Sequence, residues 1–359
     1  MGKGIKIPAS LILNAPICSD SFVRADGALG STDGLGHAEA NGGSGKVWVY
    51  DAGVWVVSGN KAVGTPTATE KLTDGGLENW DSATNLTSWT EGKEGTSSIN
   101  REDTVKHGGT YSVRFDIDAL GNYAAISQAP AVGAGVWAMM TGWFYAAASK
   151  FISFHRDLTN LNPVAPGTTW TQYRVVVRNT SANPTWGIKR AYGSDTSFSC
   201  YGDDLSLATL TLSSLFTNID AGRADTFRWQ QINTLVARTQ GGLAVRLDNP
   251  AAPANFIIAY MDGTNVKIDE CVAGAYAALG TAAKGFTADD WLGLHVMGNA
   301  WRLYHRTDAG VVTLIASGTT NVLTGNYVSI FNTYGGNKFG NFEDWPTGSL
   351  GEFESLNQL

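Results

Sequence analysis

Residues 72–80 read "LTDGGLENW" and residues 200–207 read "CYGDDLSL". Each sets a Gly- or Asp-rich turn beside a short run suited to a strand, which is how the boundary of a small β domain is written. The first looks like an opening and the second like a closing strand, yet strand-like runs also precede the first and follow the second. One β-sandwich inserted into another accounts for this order. A guest domain would span 67–208, and the flanking 20–66 and 209–359 would rejoin as the host.

The composition agrees with turn-rich β-structure: only 16% of the 359 residues are charged, Gly numbers 43, and the chain holds 12 Trp, 12 Tyr and 14 Phe. A chain of this length has room for two cores. The segment "GKVWVYDAGVWVVSGNKAVG" (45–64) carries period-2 runs separated by Asp51-Ala52-Gly53 and reads as strand, turn, strand. "TYSVRFDI" (110–117) and "QYRVVVR" (172–178) are the clearest strands of the guest. From 226 onward, runs such as "TFRWQQINTLVAR", "NFIIAYMD" and "AWRLYHRT" recur with Gly, Asn or Asp between them, the pattern of an antiparallel sandwich. Helical periodicity is confined to short turns at "TADDW" (287–291) and "TLSSLF" (211–216). The expected fold class is all-β: two antiparallel β-sandwiches (jelly rolls), one inserted into the other.

The net charge of −7 and the lack of any Lys/Arg run disfavour nucleic acid as a partner. Cys18, Cys200 and Cys271 are odd in number and far apart, which supports neither a zinc cluster nor a disulfide framework and suggests buried thiols. The start "MGKGIKIPASLILNAPICSDS" is broken by Pro8, Asn14 and Pro16, unlike a signal peptide, and no apolar run is long enough to span a membrane. Residues 1–19 have no obvious place in either sandwich. They are expected to dock onto a neighbouring chain or to add a strand to the host sheet.

Residues 20–64, with "DSFVRADGALGSTDG" and the Trp-rich run that ends in "VSGNKA", resemble the opening of laminin-G-like or concanavalin-like lectin sandwiches found in bacterial and phage proteins. "GLAVRLDNPAAPANFIIAYMDGTNVKIDECVAGAYAAL", "AWRLYHRTDAGVVTLIASG" and "NKFGNFEDW" are similar to the later strands of that fold. Residues 72–208 resemble the jelly-roll carbohydrate-binding modules attached to xylanases and glucanases, through "DGGLENW", "SWTEG", "HGGTYSVRF", "GVWAMMTGWFYAAAS", "TWTQYRVVV" and "CYGDDLSL" in the expected order. The second resemblance implies a structural Ca²⁺ held by Glu78 and Asp204 together with nearby carbonyls, a donor set suited to a hard cation. The alternative is that these carboxylates only bond turn backbone.

A pyranose face is apolar enough to stack on an aromatic ring, so exposed Trp and Tyr beside polar groups can bind glycan without catalysis. In "WAMMTGWFY" (137–145), alternation puts Trp137, Thr141, Trp143 and Tyr145 on one face of a strand; Trp186 and Tyr192 follow in a loop-rich stretch. Trp143, Tyr145, Trp186 and Tyr192 are therefore the candidate glycan contacts, with core packing as the alternative for each. No GxSxG, HExxH or P-loop pattern is present, and "SFHRD" (153–157) reads as a turn with solvated charges. Glu91 with Glu94, and Asp289 with Asp290, read as solvated loop carboxylates.

The expected function is non-enzymatic: a structural or adhesive protein at a bacteriophage virion surface, in a multimeric assembly with other virion proteins and in contact with cell-surface glycans. Two alternatives stand beside it, a secreted carbohydrate-binding protein that assists polysaccharide degradation, and a lyase or hydrolase built on a lectin-like sandwich.

Overall fold

The computed structural model describes residues 18–32, 46–50, 54–119, 121–147, 149–190 and 197–345. The chain forms two compact units, Met1–Thr67 with Thr211–Leu359, and Ala68–Leu210. Among the described residues, β-strands dominate and a 3-10 turn forms at Leu212–Leu215.

The host begins with β1 (Cys18–Asp20), β2 (Gly27–Ala28), β3 (Trp55–Val57) and β4 (Ala62–Gly64). The guest follows with β5 (Ala68–Glu70), β6 (Trp80–Ser82), β7 (Asn85–Leu86), β8 (Thr90–Lys93), β9 (Ser98–Glu102), β10 (Ser112–Ile117), β11 (Ala124–Gln128), β12 (Trp137–Ala146), β13 (Ile152–Arg156), β14 (Thr159–Val164), β15 (Thr171–Arg178), β16 (Trp186–Arg190) and β17 (Phe198–Leu210). The host resumes with β18 (Phe216–Asp220), β19 (Thr226–Thr234), β20 (Gly241–Leu247), β21 (Phe256–Met261), β22 (Val266–Val272), β23 (Ala275–Ala282), β24 (Asp290–Met297), β25 (Ala300–Arg306), β26 (Val312–Thr319), β27 (Tyr327–Asn332) and β28 (Lys338–Trp345).

In the host, a nine-stranded sheet ordered β2-β3-β4-β28-β19-β24-β25-β26, with β1 also on β28, faces a six-stranded sheet ordered β18-β27-β20-β21-β22-β23. All the ladders are antiparallel. Their inner faces meet in one core, with Trp55, Leu292, Leu294, Phe339 and Phe342 from the first sheet against Leu243, Val245, Ile257, Ile268 and Ile330 from the second. Two stretches of chain separated by the whole guest thus complete one sandwich: the stretch after the guest supplies strands to both sheets, and β1–β4 from before it extend the first sheet and bury Trp55 and Val57 in the shared core.

Two local expectations change. The hairpin in 45–64 is formed by β3 and β4, whereas Val47 bridges Ser31 and Val49 bridges Asn218. "TADDW" opens on a short turn closed by Asp290 N on Thr287 O and then runs into β24, and Asp290 is buried, accepting from Thr287 N and lying 3.0 Å from His305 Nε2, so it is no solvated carboxylate. Cys18 and Ser19, the last residues of the 1–19 segment, pair with β28; residues 1–17 lie outside the described residues.

In the guest, the sheet β15-β12-β17-β10-β9, with β5 added along β17, packs on the sheet β14-β13-β16-β11-β8. Strict alternation in β12 sends Ala138, Met140, Phe144 and Ala146 into the core, where they meet Ile126, Ile152, Phe154, Trp186 and Ile188 of the other sheet. The two stretches that suggested the insertion lie side by side: Ala68–Glu70 pairs with Ala208–Leu210, Lys71 N donates to Leu207 O and Leu205 N donates to Gly75 O. A domain whose ends are hydrogen-bonded neighbours enters and leaves its host at nearly one point, the geometry that tolerates insertion.

Candidate functional site

The outer face of the guest sheet that contains β12 carries a series of rings. Trp143 and Tyr145 point outward from β12, each partly exposed. The register places Tyr145 opposite Tyr201 of β17, and their rings meet edge to face at 5.4 Å. Trp170, just before β15, stands 5.7 Å from Tyr145 and 6.1 Å from His107, and the His107 imidazole stacks on Trp143 at 3.8 Å with a 13° tilt. His107, Trp143, Trp170, Tyr145 and Tyr201 thus form a connected aromatic surface supplied by four separate parts of the guest.

Polar groups border it. Exposed Gln172 pairs in register with Trp143. Beyond Tyr201, Arg114 binds Glu102 at 2.8 Å and Asp116 at 3.0 Å, and Asp116 also accepts from Asn100 and Ser199. Burial opposes ionisation of Glu102, but the N–H groups of Thr104 and Val105 together with Arg114 hold its carboxyl below the usual range.

His107 is held over Trp143 by Asp203. The Asp203 carboxylate is fully buried and accepts hydrogen bonds from His107 N at 2.8 Å, Gly108 N at 3.1 Å and Asp204 N at 2.8 Å. Burial pushes its pKa up to about 6 despite these donors. Its neighbour Asp204, in the left-handed region at φ 46°, points back to His107 Nδ1 at 2.6 Å.

Glu78 approaches the same turn from the other side, accepting from Thr110 N at 2.9 Å and Tyr111 N at 3.3 Å. Gly109 sits in the left-handed region that favours glycine. A Cβ on Gly109, which has φ +55°, would lie 1.8 Å from Glu78 Oε1, and one on Gly108 would lie 2.7 Å from Asp204 Oδ2. Glu78 and Asp204 therefore bracket one glycine turn, two hard oxygen donors already bonded to Thr110 N, Tyr111 N and His107 Nδ1. The described residues contain no group of three or more His, Cys, Asp or Glu side chains able to hold a metal by themselves.

Trp186, expected as a glycan contact, is fully buried among the guest core residues. A ring with no exposed face offers no stacking platform, and Trp186 is removed from the site. Tyr192 lies outside the described residues. "SFHRD" is also corrected: Ser153–Arg156 belongs to β13, and His155 is fully buried with Nε2 on Ile126 O. Burial lowers the His155 pKa to about 4, so it is neutral near pH 7 and braces two strands. Glu91 lies in β8 and accepts from Leu86 N, a turn-bonding role.

Sequence reasoning passed over Trp170, Tyr201 and His107, although the alternation that buries Cys200 turns Tyr201 outward. A cavity of about 270 Å³ lined by Glu94, Asn122, Tyr123, Lys189 and Arg190 involves the other guest sheet and contains none of the rings of this surface. No helix of the described residues is long and apolar enough to cross a membrane.

No family model and no curated protein matches this chain. Among solved structures, the chain is similar to the carbohydrate-binding module CBM66 from Bacillus subtilis, at 18% identity over 36% of this chain and 82% of that one, with a TM-score of 0.30. It is similar to TmCBM61, solved in complex with beta-1,4-galactotriose, at 17% identity over 39% of this chain and 97% of that one, with a TM-score of 0.29. It is also similar to the CBM22-1–CBM22-2 tandem of Xyn10C from Paenibacillus barcinonensis, at 8% identity over 78% of this chain and 98% of that one, with a TM-score of 0.32.

Proposed function

We propose that the chain is a non-enzymatic glycan-binding protein whose guest domain holds sugar on the outer face of the β12 sheet. The connected rings of Trp143, Trp170, Tyr145 and Tyr201 carry this reading, because stacked pyranoses need several partly exposed rings in a row beside amide and charged groups. The carboxylates beside the rings are tied into structural bonds, Glu102 and Asp116 by Arg114, and Asp203 by three backbone N–H groups. That arrangement favours binding over acid–base chemistry. Shallow stacking predicts dissociation constants of about 1 μM to 1 mM per site. Display in many copies, as at a bacteriophage virion surface, would multiply this through effective concentration.

A glycan array probed with multimerised protein should give hits that Trp143→Ala weakens by at least about tenfold, the equivalent of about 1.4 kcal/mol, with the melting curve unchanged. A blank array, or hits that survive Trp143→Ala undiminished, would refute the site. Imaging the native assembly tests the virion placement: a soluble protein with no neighbouring chains would remove it.

We further propose that Glu78, Asp204 and carbonyls of the 107–111 turn hold a structural Ca²⁺ that fixes His107 against Trp143. Calcium binding only to the folded form adds about 2.7 kcal/mol at a hundredfold excess over Kd. A chelator should lower the melting temperature of the unmodified protein. Glu78→Gln should lower it in calcium and make the chelator silent. Identical calorimetric curves with calcium and with chelator would leave both carboxylates as turn-bonding groups.

A further inference from the structure

We infer that the guest carries a second binding site, on the sheet opposite the aromatic surface, for a sugar acid whose carboxylate is held by Lys189 and Arg190. The site is the cavity of about 270 Å³ whose described lining includes Glu94, Asn122, Tyr123, Leu158, Lys189 and Arg190. That volume is at the small end of ligand pockets and suits one ring rather than a chain. The strand order β14-β13-β16-β11-β8 brings the lining together: Lys189 and Arg190 end β16, Asn122 and Tyr123 lead into β11, Glu94 follows β8, and Leu158 lies in the turn between β13 and β14.

Among these lining residues, two cations face one acid. Lys189 and Arg190 are 8% and 3% exposed, whereas Glu94 is open to solvent. Neutral carbonyls fix both heads: Lys189 Nζ donates to Leu158 O at 2.5 Å, and Arg190 Nη1 donates to Asn122 O at 2.6 Å. A carbonyl positions a cation without cancelling its charge. Burial lowers the Lys189 pKa because the ammonium has given up water, and the Glu94 charge offsets only part of this. A carboxylate entering the cavity would meet that positive charge where solvent screens it less than at an open surface.

The lining also offers more than a bare ion can use. Leu158 is 44% exposed, and it and Asp157 both occupy the left-handed region, at φ 59° and 49°, where a leucine is strained. The turn is kept there because Asp157 N donates to Thr185 O, Thr185 N to Asp157 Oδ1, and Leu158 N to His155 Nδ1. Strain held in this way, with an apolar side chain left on a charged cavity, is what a ligand clamp requires. Tyr123, half-buried and packed on Gly92, adds a ring. Leu158 and Tyr123 suit the apolar face of a pyranose, and Lys189 and Arg190 suit a carboxylate on it. Together they describe a hexuronic acid.

Isothermal titration calorimetry of the full chain tests this with glucuronate and galacturonate, with glucose and galactose as neutral counterparts and acetate as the bare charge. At least one uronate should bind in low salt with a dissociation constant of about 0.1–1 mM, at least about tenfold tighter than its neutral counterpart or acetate, and should weaken as sodium chloride is added. Glu94→Gln removes an opposing charge from an exposed side chain and should tighten uronate binding about threefold. Lys189→Met should weaken it by at least about tenfold, with a melting curve that shows the guest still folded. Trp143→Ala should leave it unchanged, which separates this site from the aromatic surface. Absence of uronate binding up to about 20 mM overturns the inference. So does equal affinity for the neutral sugar or acetate, an affinity that neither Glu94→Gln nor Lys189→Met alters, or a uronate signal lost on Trp143→Ala.

Discussion

Trp186→Ala should destabilise the guest by about 3–5 kcal/mol, while Trp143→Ala should leave its stability within about 1 kcal/mol. Trp186 is fully buried and packs in the core that joins the two guest sheets. Truncation removes the whole indole from a dense interior and leaves a cavity that surrounding β-strands can close only in part. Trp143 points outward from β12, with its ring packed mainly on His107. Denaturant unfolding of the two variants, followed beside glycan binding, separates these roles. Trp186→Ala should lose binding in proportion to the unfolded fraction, and Trp143→Ala should lose it while folded. Equal stability of the two variants would contradict the assignment of Trp186 to the core.

In the host, Asp344→Ala should cost about 3–5 kcal/mol, because it strands a charge inside the sandwich. Arg228 is fully buried on β19 and ion-paired with Asp344, and Arg223 bonds the same carboxylate. Burial drives the Arg228 pKa well below its ordinary value, which measures how unfavourable that guanidinium is away from water. Without Asp344, Arg228 keeps this desolvation and loses its counter-charge. Adding Arg228→Met should restore much of the loss, since an apolar side chain of similar length removes the need for a partner. Thermal unfolding of the single and double variants checks both steps. If the double variant is no more stable than Asp344→Ala, the buried charge is not the source of the cost.

Several features follow from local pattern. The turn spacing and period-2 runs of β10, β12 and β15 identify strands, and alternation within 137–145 puts Trp137, Thr141, Trp143 and Tyr145 on one face. Glu78 and Asp204 were reached through the family resemblance, and the structure places both at the glycine turn 107–111. Alternation is a property of each strand's own backbone, so it can be read without knowing what lies beside it.

Burial and convergence are different. The strand "WGIKR" looks amphipathic, but all five of its residues are buried. Its position between β13 and β11 covers it on both sides in the sheet, and the 157–158 turn reaches over its outer face, where Lys189 Nζ bonds Leu158 O at 2.5 Å. The core role of Trp186 on its inner face depends on residues of the facing sheet, Met140 and Phe144 among them, whose placement no local pattern encodes. The aromatic surface likewise forms only when β12, β17, the 107–111 turn and the loop before β15 are brought together. By itself, then, the sequence determined an all-β chain and that Trp143 and Tyr145 share one face of a strand. Which rings share a surface and which are sealed in the core was decided by strand order and sheet packing, because burial is a sum over neighbours that are distant along the chain.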